Sequence, residues 1–128
     1  MKSILTISTL LFTMMLSSIS FAEWTKVAKG SSGNIFYLDF ERIRKHNGYV
    51  YWWDMVDFLK PDKYGDLSVK LYKEGDCKLF RYRPLSFSFH KEPMGYGTGD
   101  VQESQKKNWG YPPPNSMSEK ILKAVCSR

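Results

Sequence analysis

The sequence predicts a mainly β domain of the α+β class, an antiparallel sheet of about six strands with one C-terminal helix packed on it. Three observations carry that prediction. Aromatic and β-branched residues alternate along short segments between Trp24 and Phe89. Turn clusters rich in Gly, Asn, Asp and Ser separate those segments. A helical apolar spacing appears at the end of the chain, in Met117, Ile121, Leu122 and Val125.

Each element has a local reason. Trp24 to Lys29 reads as a first strand, with Trp24 and Val27 toward the core. Gly30-Ser31-Ser32-Gly33-Asn34 is a turn of residues that tolerate positive φ, and Ile35 to Asp39 is the returning strand of a hairpin. Phe40 to Lys45 fits either a short helical turn or an irregular edge, and it ends at the Asn47-Gly48 turn signal. Tyr49 to Leu59 is the strongest strand. Tyr49, Tyr51, Trp53, Met55 and Asp57 share one face, and Val50, Trp52, Asp54, Val56 and Phe58 share the other, so the strand is central and covered on both sides.

Leu67 to Lys73 is the next strand, and Glu74-Gly75-Asp76 is expected to turn the chain into Cys77. Phe80 and Tyr82 have one parity, and Leu85, Phe87 and Phe89 have the other. A bulge at Pro84 would turn all five inward and leave Arg81 and Arg83 outward. Glu92 to Gly110 is loop-like, with a short strand through Val101. Pro112-Pro113-Pro114 delivers the chain to Ser116, an N-cap that Glu119 completes as a capping box.

The first 22 residues have the layout of a secretory leader: Lys2, an uncharged apolar and hydroxyl run from Ile4 to Ile19, and small residues ending at Ala22. That run is short and diluted with Ser and Thr for a membrane span, so residues 23–128 are expected to be one exported domain with no span after cleavage. Cys77 and Cys126 are the two cysteines of the chain. In an exported protein such a pair reads as a disulfide, with free thiols as the alternative. The full chain carries a net charge of +6, which the loss of Lys2 lowers by one. A basic balance favours acidic partners, and export makes nucleic acid an unsuitable one.

Two constellations could bind. Lys70, Lys73, Lys78, Arg81 and Arg83 lie close together on two strands that should pair, forming a basic outer face suited to sulfated glycans or acidic protein segments, although Glu74 and Asp76 dilute it. Arg42, Arg44 and Lys45, and also Lys106-Lys107, read as plain surface. One helix cannot cover both faces of a six-stranded sheet. Either Val50, Trp52, Val56 and Phe58 or the opposite set is therefore available to a partner or to a second copy in a homodimer, unless loops such as Glu92 to Gly110 cover it. Trp52 and Phe58 stand for that aromatic face.

Catalysis has little support. His46 and His90 have no partner at sequence level, and Asp54 and Asp57, three apart on a strand, point to opposite faces. Gly95-Tyr96-Gly97-Thr98-Gly99 lacks the lysine and helix of a phosphate loop. No cofactor or metal site is expected.

The order of marks resembles the surface-adhesin protein E family of Gram-negative bacteria. The marks are Trp24, Tyr37-Leu38-Asp39, Trp53-x-Met55-x-Asp57-Phe58, Ser68, Asp76-Cys77, Trp109, Pro114 and a last helix ending at Cys126. The resemblance spans Trp24 to Cys126 and implies a compact disulfide-tied sheet and helix. It also implies binding of host extracellular-matrix or serum proteins at the bacterial surface. The name-giving members are lipid-anchored, whereas Glu23 stands here where their acylated cysteine would be. The expectation is an exported adhesin-like binding protein without catalysis, periplasmic, secreted or at the cell surface, and not lipid-anchored. The alternative is a soluble periplasmic envelope or small-ligand-binding protein that shares only the fold.

Overall fold

A computed structural model describes residues 23–105 and 107–128. The expected leader and Lys106 lie outside the described residues. Seven strands and one helix follow in order: β1 (Thr25–Lys29), β2 (Ile35–Leu38), β3 (Arg44–His46), β4 (Tyr49–Asp57), β5 (Ser68–Asp76), β6 (Arg81–His90), β7 (Asp100–Glu103) and α1 (Met117–Cys126). All pairings are antiparallel, in the order β1-β2-β4-β5-β6-β7. β4 is central, and along one edge it pairs with β3 through Tyr49–Tyr51 and with β2 through Asp54–Asp57.

The ambiguous Phe40–Lys45 segment resolves into both readings. Asp39 caps a short 3-10 turn over Phe40–Arg42 by accepting from the Glu41 N–H at 3.2 Å, and β3 follows as a short edge strand. The turn expected at Glu74–Asp76 falls instead at residues 77–80. Gly75 is a strand residue, and its lack of a side chain serves packing: a Cβ there would stand 2.7 Å from Trp52 and 3.1 Å from Leu122. Asp76 instead nucleates the true turn, accepting from the N–H groups of Lys78 and Leu79 at 3.1 and 3.3 Å. The bulge in β6 falls at Leu85, one residue after Pro84, because Lys73 pairs with Pro84 and Tyr72 with Ser86. This switch puts Tyr82, Phe87 and Phe89 on one face despite their mixed parity.

The core lies between α1 and one face of the sheet: Leu38, Val50 and Trp52 below, Ile121, Leu122 and Val125 above. Ser116 caps α1 by accepting from the Glu119 N–H at 3.1 Å. The Glu119 carboxylate reaches back to the N–H of Asn115 at 3.2 Å, one residue before the partner expected for a capping box. The Cys77–Cys126 disulfide ties the end of α1 to the β5–β6 turn. Among the described residues, no helix is long and apolar enough to cross a membrane.

Candidate functional site on the open face of the sheet

The face of the sheet away from α1 collects the aromatic and cationic side chains. The register sets Tyr51 beside Glu74 and Glu74 beside Arg83, then Trp53 beside Tyr72, then Met55 beside Lys70. Alternation places these residues together with Tyr49, Asp76 and Arg81 on one side. Trp53 and Tyr72 pack with tilted rings whose centroids are 4.9 Å apart, and Tyr51 and Tyr72 stack at 6.3 Å.

Glu74 joins the aromatic row to the cations. Its buried carboxylate accepts from the Tyr51 hydroxyl and from Arg83 Nε at 2.6 Å. The hydrogen bond to Glu74, then burial and the Glu74 charge, push the Tyr51 phenol up to about 12. Asp76 holds Arg81 Nε at 3.0 Å. Burial pushes the Asp76 carboxyl up, but the N–H groups of Leu79 and Lys78 and the Arg81 guanidinium outweigh it and hold it below the ordinary range.

Two loops close the ends of this face. At one end Tyr82 and Gly110 exchange backbone hydrogen bonds of 2.9 and 2.8 Å, which deliver Trp109 over both guanidinium groups. Its ring centroid is 4.6 Å from Arg81 Cζ and 4.3 Å from Arg83 Cζ, and Tyr49 packs on it at 5.5 Å. At the other end a 3-10 turn over Pro93–Gly95 folds across Met55 and Lys70. Asp57 accepts from the Met94 N–H and Ser68 Oγ from the Gly95 N–H, both at 2.8 Å. Gly95 has φ +70 and lies against the Lys70 stem, so glycine is required there. Between these covers, Tyr51, Trp53, Lys70 and Tyr72 remain half-exposed.

Of the residues singled out in the sequence, Lys70, Arg81 and Arg83 share this face. Lys73 does not. It lies under α1, paired with Asp54 at 3.0 Å, and Asp54 also accepts from Trp52 Nε1 at 2.9 Å. Nor is Trp52 offered to a partner. It is 1% exposed in the core, because α1 covers that half of the sheet. Phe58 is half-buried just beyond the end of β4. The aromatic residues left open are those of the opposite set. Trp109 entered the sequence reading only as a mark of the resemblance, and its place over the arginines had no local signal, since the Tyr82–Gly110 pairing brings its loop there.

His90 is buried with both ring nitrogens engaged, at 2.8 Å from Ser88 Oγ and 3.3 Å from the Gly97 carbonyl. This places it as a brace for the glycine loop. No group of three metal-ligating side chains occurs among the described residues.

The family model for surface-adhesin protein E matches residues 24–127. The chain belongs to that family. Solved structures of Haemophilus influenzae protein E share the adhesin fold. Crystal form II superposes with a TM-score of 0.64 at 19% identity, covering 87% of this chain and 92% of that one. Protein E from the non-typeable organism gives a TM-score of 0.62 at 19% identity, covering 87% and 80%. No curated protein matches the adhesin chain.

Proposed function

We propose that this protein is an exported adhesin-like binding module without catalysis, and that the open face of its sheet contacts an extracellular-matrix or serum protein or another anionic partner. The observation that carries this reading is the half-exposed row of Tyr51, Trp53 and Tyr72, bordered by Lys70 and by the Trp109-capped arginines. Tyr, Trp and Arg are the residue types that dominate protein interfaces. A sheet holds them rigid, so little side-chain entropy is lost on contact. Lys70 forms no ion pair among the described residues and supplies an uncompensated positive charge.

The test is binding of the purified domain to immobilised heparin and to a panel of matrix and serum proteins, at low and high salt. Tyr72→Ala and Lys70→Ala should each lower binding while the domain stays folded. The Lys70 contribution should fade as salt screens it. Binding that both folded variants leave unchanged would remove this face from the account.

A further inference from the structure

On the α1 side of the sheet, at the end that the helix does not reach, the structure holds a second surface of opposite charge. A cavity of about 570 Å³ lies between the Asp62–Asp66 loop and β7. Phe89 and Tyr64 give it aromatic walls, and Asp62, Asp66, Asp100 and Gln102 supply the polar groups. Lys91 is the one cation among the described residues that lines the cavity, and it is already engaged: Nζ pairs with Asp66 at 3.0 Å and donates to the Tyr64 carbonyl at 2.6 Å. Lys63 Nζ lies over the Tyr64 ring, 5.0 Å from its centroid. Asp100 has only a 3.4 Å contact from Gln102. On a chain of net charge +6, this is a local acidic site with aromatic walls.

β7 runs along the cavity and is the last strand of the sheet, with β6 on one side and no strand of the described residues on the other. Ser104 N–H donates to the Leu85 carbonyl at 2.9 Å, so Ser104 faces β6. Antiparallel alternation then turns the backbone groups of Gln102 and Asp100 toward β6 and those of Val101 and Glu103 outward. The side chains of Asp100 and Gln102 line the cavity, while Val101 is 69% exposed on the other face. A strand added to this edge would send every second side chain toward the carboxylates.

We propose that the β7 edge and the adjoining cavity form a docking site for an extended peptide segment that carries Lys or Arg at alternate positions. Backbone pairing to Val101 and Glu103 provides the attachment. Asp100 and Oδ2 of Asp62, whose Oδ1 already accepts from the Tyr64 and Asp66 N–H groups at 2.9 and 2.8 Å, select the cation by charge, and Phe89 by the attraction of its ring. This site is independent of the open face proposed above and prefers the opposite charge.

The probe is a blocked ten-residue Lys-Thr alternating peptide, with its Glu-Thr counterpart as control, followed by amide NMR and hydrogen exchange on the intact domain. The Lys peptide should shift and protect the Val101 and Glu103 amides, and the Glu peptide should do neither. Val101→Pro removes an outward N–H without breaking a β6 bond, and it should abolish the protection while thermal stability stays unchanged. Asp100→Lys should weaken binding about tenfold at low salt. Absence of protection at β7, equal response to both peptides, or full binding by a folded Val101→Pro variant would each overturn the proposal.

Discussion

Trp109 lies over the guanidinium group of Arg83, with 4.3 Å between ring centroid and Cζ, while Arg83 Nε binds the buried carboxylate of Glu74. Arg83 therefore connects a loop, two strands and, through Glu74, the hydroxyl of Tyr51. Its Nη1 also donates to the Lys107 carbonyl at 3.0 Å, so the Trp109 loop is held from both sides of the ring.

Arg83 is consequently a structural residue, half-buried on the open face. Arg83→Ala leaves Glu74 buried without its cation and should cost about 1–3 kcal/mol in urea denaturation. Glu74→Gln in the same chain should recover part of that loss, because it removes the stranded charge. An additive cycle would show that the pair is uncoupled. A double alanine variant at Arg81 and Arg83 tests binding only alongside a melting curve, since Asp76 loses its partner too.

The bond between Tyr51 and Glu74 makes stability fall at high pH. The folded phenol titrates near 12, against about 10 in the unfolded chain. A raised value favours the protonated phenol in the folded state. Its contribution is complete below pH about 10 and is lost as the pH rises through 12. Tyr51→Phe should be less stable than the parent at neutral pH and should lose less between pH 10 and 12. Identical pH profiles for the two proteins would contradict this. Asp76, held low, acts in the opposite sense: its contribution is present above the ordinary carboxylate range and is lost as acid reaches its depressed value.

Gly75 is the tightest point beneath α1. Gly75→Ala directs a methyl group to within 2.7 Å of Trp52, 3.0 Å of Val50 and 3.1 Å of Leu122, all in the core. Overpacking of this kind should cost about 1–3 kcal/mol, read as a lowered thermal midpoint. Gly48→Ala is the control for backbone conformation alone, because it has positive φ and open space around its Cβ position.

These features were unequally legible in the sequence. Alternation located β4, β5 and β6, and the Ser116 cap located α1, because local periodicity and capping determine them. The same alternation separates Lys70 from Lys73, three apart on one strand, as it separates Asp54 from Asp57. Grouping the two lysines overlooked that rule. Gly75 resembled a turn residue because sequence cannot distinguish a glycine that bends the chain from one that admits Trp52. Trp109 and the Pro93–Gly95 turn depend on contacts across the sheet, and a local pattern carries no trace of them. The disulfide was legible from the export signal and the even count of cysteines.

The central claim is that this domain works outside the cell as an adhesin. Protease shaving of intact cells that express a tagged chain, with fractionation of the same cells, tests it most directly. The account predicts that the tag is accessible at the surface or released to the medium. A tag recovered wholly from a protected periplasmic pool would contradict the adhesin reading and leave the fold in place.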